Sequence, residues 1–114
     1  MKDSILLKKA DLFAKEVYRT SRTFPREEVY GLTSQIRRAA LSVPLNIIEG
    51  FARNAKNENR RFLEIAFASL KETRYLLYFA CNEKYFSEGD YKKILNLSEE
   101  ISKMLWASIK TLKK

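Results

Sequence analysis

Glu49, Glu58 and Glu64 are the only group of side chains near one end of this chain whose type and position suit acid–base chemistry. They have little to work with. The sequence contains no His, and its one Cys, Cys81, closes the apolar run that starts at Leu76, where a buried small hydrophobe is expected. There is no glycine-rich phosphate loop and no Glu-x-x-His spacing. Histidine-based catalysis, zinc fingers and an intramolecular disulfide are excluded. The expectation is a protein that is not an enzyme and that uses no metal or cofactor.

The chemistry that remains is cationic. Lys and Arg number 22 against 14 Asp and Glu, a formal net charge of +8. Such an excess favours polyanions: nucleic acid, an acidic protein surface or anionic lipid. Arg53, Lys56, Arg60 and Arg61 gather around one polar break, while Lys8, Lys9, Lys110 and Lys113 lie near the two ends, with Lys2 and Lys114 beyond them. The acids expected beside them are few: Asp3, Glu49, Glu58 and Glu64. Arg37 and Arg38 form a separate pair. Neighbours on a helix are about 100° apart, so both cannot face a core. One is expected to pair with a carboxylate of a neighbouring helix, and the other to reach solvent, a subunit seam or RNA. Tyr18, Phe24, Tyr30 and Phe51 lie near these zones and could stack on unpaired bases, although packing is the commoner role for such rings.

These residues must be positioned by helices, because the hydrophobic pattern repeats at helical spacing and nowhere alternates as a strand would. Four segments emerge. The first runs from about Ser4 to Ser21 on the stripe Leu6, Ala10, Phe13, Ala14 and Val17. The second runs from about Arg26 to Ala52, entered at Pro25, with Glu27 and Glu28 in a first turn that favours negative charge. Pro44 falls inside it. The apolar stripe keeps its phase across the proline, which predicts a kink and not two helices. The third runs from about Glu58 to Lys84, capped by Asn57. It carries two apolar faces, Phe62, Ala66, Ser69, Thr73, Leu76 and Ala80 on one, and Leu63, Phe67, Leu70, Leu77 and Cys81 on the other. Covering both is hard in a lone bundle, which suggests a second copy. Ser87 and Asp90 form a capping box for the fourth, from about Glu88 to Leu112. Trp106 lies off its stripe, at a subunit contact or closing the end of the core.

Short links between consecutive helices predict an all-α, up-down-up-down antiparallel four-helix bundle, one domain over residues 1–114. That topology brings both termini and the link between the second and third helices to one pole, which collects the cations named above. No apolar run is long enough for a signal peptide or a membrane span, so a reducing cytoplasm is the expected compartment and no membrane partner is expected.

The string Tyr30-Gly31-Leu32-Thr33-Ser34-Gln35-Ile36-Arg37-Arg38-Ala39-Ala40, continued by Leu41-Ser42-Val43-Pro44-Leu45-Asn46-Ile47-Ile48-Glu49-Gly50-Phe51-Ala52-Arg53 and then by Phe62-Leu63-Glu64-Ile65-Ala66 and Ser69-Leu70, strongly resembles the 23S rRNA intervening-sequence proteins. Their relatives include the accessory variability determinants of diversity-generating retroelements. Leu41 and Leu45 depart from the smaller residues common at those positions. The resemblance implies a bundle assembled as a ring-shaped homopentamer with a basic surface for nucleic acid, and it brings no catalytic residues. It makes a reverse transcriptase or other protein a possible partner, though no residue here points to one. Five basic poles on one face of a ring would add avidity. Asn46 is then expected to satisfy backbone groups freed near Pro44, and Glu49 to pair with Arg53. The leading expectation is a non-catalytic protein that binds structured RNA, or an RNA–DNA intermediate, through phosphates and shape. The alternative is a structural or adaptor ring whose main partner is a protein.

Overall fold

The computed structural model describes residues 4–113, which form four α-helices: α1 (Ile5–Ser21), α2 (Leu32–Ala52), α3 (Lys56–Asn82) and α4 (Glu88–Lys113). Among the described residues there is no strand. The bundle measures 44 × 25 × 23 Å. Helix α1 starts where Ser4 Oγ accepts the Leu7 N–H at 3.1 Å, and it buries the whole predicted stripe from Leu6 to Val17. Helix α4 starts where Ser87 Oγ accepts the Asp90 N–H at 3.1 Å, the Ser87 half of the predicted capping box.

Two helix starts differ from expectation. Arg26–Glu28 form only a short 3-10 turn, and α2 begins at Leu32 behind Gly31. The cause is Glu28. Its Oε1 accepts the Leu32 N–H at 3.0 Å, a bond that a continuous helix would give to the Glu28 carbonyl, and its Oε2 accepts the Tyr85 hydroxyl at 3.0 Å. One carboxylate thus caps α2 and ties the α1–α2 link to the α3–α4 link. Thr23 Oγ1 adds a bond to the Tyr85 carbonyl at 2.7 Å, and Phe24 is buried against the Tyr85 and Phe86 rings.

Helix α3 begins at Lys56, with Ala55 and not Asn57 in the cap position. The junction is held instead by Asn59, whose Nδ2 donates to the Gly50 carbonyl and, at 2.8 Å, to the Arg53 carbonyl. The Gly50 carbonyl also accepts the Arg53 N–H at 3.2 Å, so Asn59 adds a second donor there and gives the Arg53 carbonyl, past the end of α2, its donor. Gly50 makes the approach possible: a Cβ there would stand 3.2 Å from Leu63 Cδ2 and 3.3 Å from the Asn59 carbonyl oxygen.

Helix α2 passes through buried Pro44 as one element. Asn46 Nδ2 donates to the Ser42 carbonyl at 2.8 Å and to Ser42 Oγ at 2.9 Å, and Ser42 Oγ meets Ser69 Oγ of α3 at 2.8 Å. The carbonyl freed by Pro44 is that of Ala40, so Asn46 serves a different group from the one expected.

Helix α3 lies between α2 and α4, and α1 packs on α2 and α4. This arrangement answers the puzzle of α3's two apolar faces. Leu63, Ala66, Leu70, Thr73, Leu76, Leu77 and Ala80 are all buried within the single chain. Phe62, Phe67, Ser69 and Cys81 of the same faces are partly buried, so the single chain covers most of both faces. The apolar side chains of α3 that do stay exposed are others: Ile65, Tyr75, Tyr78 and Phe79. Cys81 is only partly buried, and Trp106 is half-exposed beside the Phe67 ring at 6.1 Å.

Candidate nucleic-acid interface

Ion pairs fix the level of each helix against its neighbour. Arg19 meets Asp90 at 3.0 Å and Lys9 meets Glu100 at 2.8 Å, so α1 and α4 run antiparallel. Arg74 meets Glu99, and Phe67 packs on Trp106, so α3 and α4 do the same. Continuing that register sets Arg60 level with Lys113. The Gly50–Leu63 approach and the Asn59 bonds bring Arg53 to the same end. Arg53, Lys56, Arg60, Arg61, Lys110 and Lys113 thus converge on one pole.

Their charges are not equally available. Glu49 takes Arg53 at 2.7 Å, the predicted pair, and the Arg53 guanidinium lies 4.9 Å from the Phe62 ring centre. Glu64 stands 4.0 Å from Arg60. Lys113 lies 5.8 Å from the Trp106 ring centre, a contact that orients the ammonium without neutralising it. Among the described residues Lys56, Arg61, Lys110 and Lys113 have no ion-pair partner, and all four are exposed.

Lys8 and Lys9 do not belong to this cap. Helix α1 has 17 residues against 26 in α4, and Lys9 sits opposite Glu100. The cap residue Lys110 is ten residues further along α4, about 15 Å away at 1.5 Å per residue. Lys9 is also occupied by Glu100, which leaves exposed Lys8 as a flanking charge. Lys2, Asp3 and Lys114 lie outside the described residues.

Arg37 and Arg38 are remote from the cap as well, about 22 Å for Arg38 along α2. Arg37 Nε donates to Ser21 Oγ at 2.7 Å, and its guanidinium covers the Tyr18 ring at 4.8 Å. It fastens α2 to α1 through a hydroxyl and a ring, not through the carboxylate expected. Arg38 is exposed and forms no ion pair among the described residues. Of the four rings considered for stacking, Phe24 is buried and Tyr18 is covered, whereas Phe51 and Tyr30 are open, Tyr30 at 95%.

The opposite pole differs in charge. Glu27, Glu28, Glu83, Glu88 and Asp90 there offset Arg19, Arg22, Arg26 and Lys84. Arg19 is shared between Glu16 and Asp90, which holds the Asp90 carboxyl below its usual range through the Arg19 hydrogen bond and holds Arg19 protonated. The Glu28 hydrogen bond raises the Tyr85 phenol. Burial, with Glu88 nearby, raises the Cys81 thiol and so keeps it a poor nucleophile. Among the described residues no three His, Cys, Asp or Glu side chains could hold a metal ion. Among the described residues no helix is long and apolar enough to cross a membrane.

A cleft of about 560 Å³ that the sequence reading did not find opens between α2 and α3. Tyr30, Gln35, Arg38 and Glu72 line it above a floor of Ser42 and Ser69. Glu72 lies on the side of α3 away from both apolar faces, the one signal in the sequence that it faces outward.

The family described as 23S rRNA-intervening sequence protein matches residues 2–107 of this chain. Among solved structures, a protein of unknown function from the S23 ribosomal protein family of Bacteroides thetaiotaomicron is similar, with a TM-score of 0.83 and 27% sequence identity over 93% of this chain and 99% of that one. No curated protein matches the chain.

Proposed function

This chain belongs to the 23S rRNA-intervening sequence protein family, and on that premise we propose that it is a non-catalytic nucleic-acid-binding protein that grips structured RNA, or an RNA–DNA intermediate, by its basic pole. The observation that carries the reading is the convergence of α2, α3 and α4 ends into a cap whose Lys56, Arg61, Lys110 and Lys113 lack carboxylate partners among the described residues. Lysine and arginine clustered on one pole bind phosphates by releasing counterions. In a ring-shaped homo-oligomer, the pentamer that the family resemblance suggests, the caps would lie on one face and bind together. The cytoplasm, where rRNA is made and folded in a bacterium, is the matching compartment.

The test is salt dependence. Four cations each neutralising one phosphate give a slope of log K against log salt of about −2.8 for single strands to −3.6 for a duplex. Affinity for an rRNA hairpin should then fall about 50- to 150-fold per protomer between 50 and 200 mM salt. Changing Lys56, Arg61, Lys110 and Lys113 together to Ala should flatten the slope toward zero. An unchanged slope in that variant would remove the cap as the site.

A second reading, a ring that serves mainly as a protein adaptor, draws support from the exposed Leu41, Leu45, Tyr75, Tyr78 and Phe79. Contacts through such a surface should hardly respond to the same salt change.

A further inference from the structure

The α2–α3 cleft lies about 22 Å along α2 from Arg53, and the cap does not use it. We propose that this cleft holds one unpaired nucleotide, with its base stacked on Tyr30; the proposal rests on the nucleic-acid reading above and adds a preference for unpaired bases.

Tyr30 is 95% exposed, and no other ring or cation stacks on it among the described residues. A single exposed ring is ordinary. This one rims a cleft of about 560 Å³, within the range of small-ligand sites. Arg38 and Glu72 line the same cleft without forming an ion pair among the described residues. Opposite charges that share a cleft yet stand apart complement a ligand carrying both an anion and hydrogen-bond donors. A nucleotide is such a ligand: its phosphate suits Arg38, and a base-edge amine or ribose hydroxyl can donate to Glu72. The Gln35 amide is exposed at the same rim and can both donate and accept.

The floor does not compete for these roles. Ser42 and Ser69 hydroxyls bond each other at 2.8 Å, and Asn46 bonds Ser42. A paired base cannot present its Watson–Crick edge or leave its stack, and Glu72 repels a continuous phosphate backbone, so a loop or single strand enters where a duplex does not.

The test compares a hairpin RNA carrying an unpaired loop with the same sequence fully paired. The native protein should prefer the loop by roughly tenfold, the scale of one base stacked on an aromatic ring. Tyr30→Ala should abolish that preference while leaving duplex affinity unchanged, and Tyr30→Phe should restore it, because stacking needs the ring and not the hydroxyl. Circular dichroism melts of both variants check folding. Loop preference that survives Tyr30→Ala overturns the proposal. So does a fall in solution mass for that variant, which would make the cleft a seam between subunits. A separate titration with guanosine and cytidine 5′-monophosphates, followed by NMR, reports on the cleft without the cap. Shifts at Tyr30 and Gln35 with no hairpin binding would uphold the cleft and refute the cap reading. Hairpin binding with no shifts and no loop preference would do the reverse.

Discussion

Asn59→Ala should be among the most damaging polar truncations in this protein, although the residue is half-exposed and unremarkable by type. Its amide donates to the carbonyls of Gly50 and Arg53, closing the end of α2 from the first turn of α3. Each such bond contributes about 0.5–1.5 kcal/mol net, so losing both costs about 1–3 kcal/mol. The melting temperature of a domain this size falls by about 4 °C per kcal/mol, giving a drop of about 4–12 °C by calorimetry or circular dichroism. Asn59→Asp supplies no donor and turns oxygen toward oxygen, so it should lose as much, offset by at most about 1 kcal/mol because a negative charge in a helix's first turn is favoured. The control is Asn57→Ala. Asn57 looks like the helix cap in the sequence, yet it is exposed inside the first turn of α3 and makes no side-chain hydrogen bond among the described residues. That change should stay within about 0.5 kcal/mol, as surface substitutions do. If Asn57→Ala costs as much as Asn59→Ala, the account of this junction is wrong. The junction also orients Arg53, Lys56 and Arg60, so Asn59→Ala should weaken hairpin binding more than Asn57→Ala does.

Two further outcomes follow from the opposite pole. Lys84, two residues past the end of α3, has φ at 62° and donates its N–H to the Cys81 carbonyl at 2.9 Å while Tyr85 N–H reaches the Ala80 carbonyl. A side chain there carries a steric cost that glycine avoids, so Lys84→Gly should stabilise the fold by about 1 kcal/mol in urea titrations, and a lower denaturation midpoint would refute the strain. Asp90 has its folded-state carboxyl pulled down by Arg19, so its contribution to stability is complete above the unfolded value near pH 4 and is lost as pH falls through the folded value. Asp90→Asn should therefore destabilise at pH 7 and narrow the gap to the native protein on acidification; a gap independent of pH would show that Arg19 does not hold this carboxylate.

What the chain determined by itself was its helices. Phe13, Val17, Ile36, Val43, Ile47, Leu70, Ile101 and Leu105 recur at helical spacing, and all are fully buried. Periodicity of that kind is a local property, and so is a cap such as Ser4 or Ser87, which acts within one turn. The family string from Gln35 to Arg53 was legible for the same reason. Helix starts were less so. Glu28 and Asn59 act on backbone groups across a link, and Tyr85, which fixes Glu28, is 57 residues away. The placement of charge was legible only in part. Sequence brings Arg53, Lys56, Arg60 and Arg61 together because they are neighbours, but it cannot give the register between helices. The Lys9–Glu100 and Arg74–Glu99 pairs set that register, leaving Lys8 and Lys9 short of the cap and carrying Lys113 into it. Likewise the two apolar faces of α3 are visible in the sequence, while their burial by α2 and α4, and the exposure of Tyr75, Tyr78 and Phe79 instead, depends on how far each helix turns about its axis. Side-chain periodicity gives a helix a face; only contact with its neighbours decides which flank of that face stays open to water.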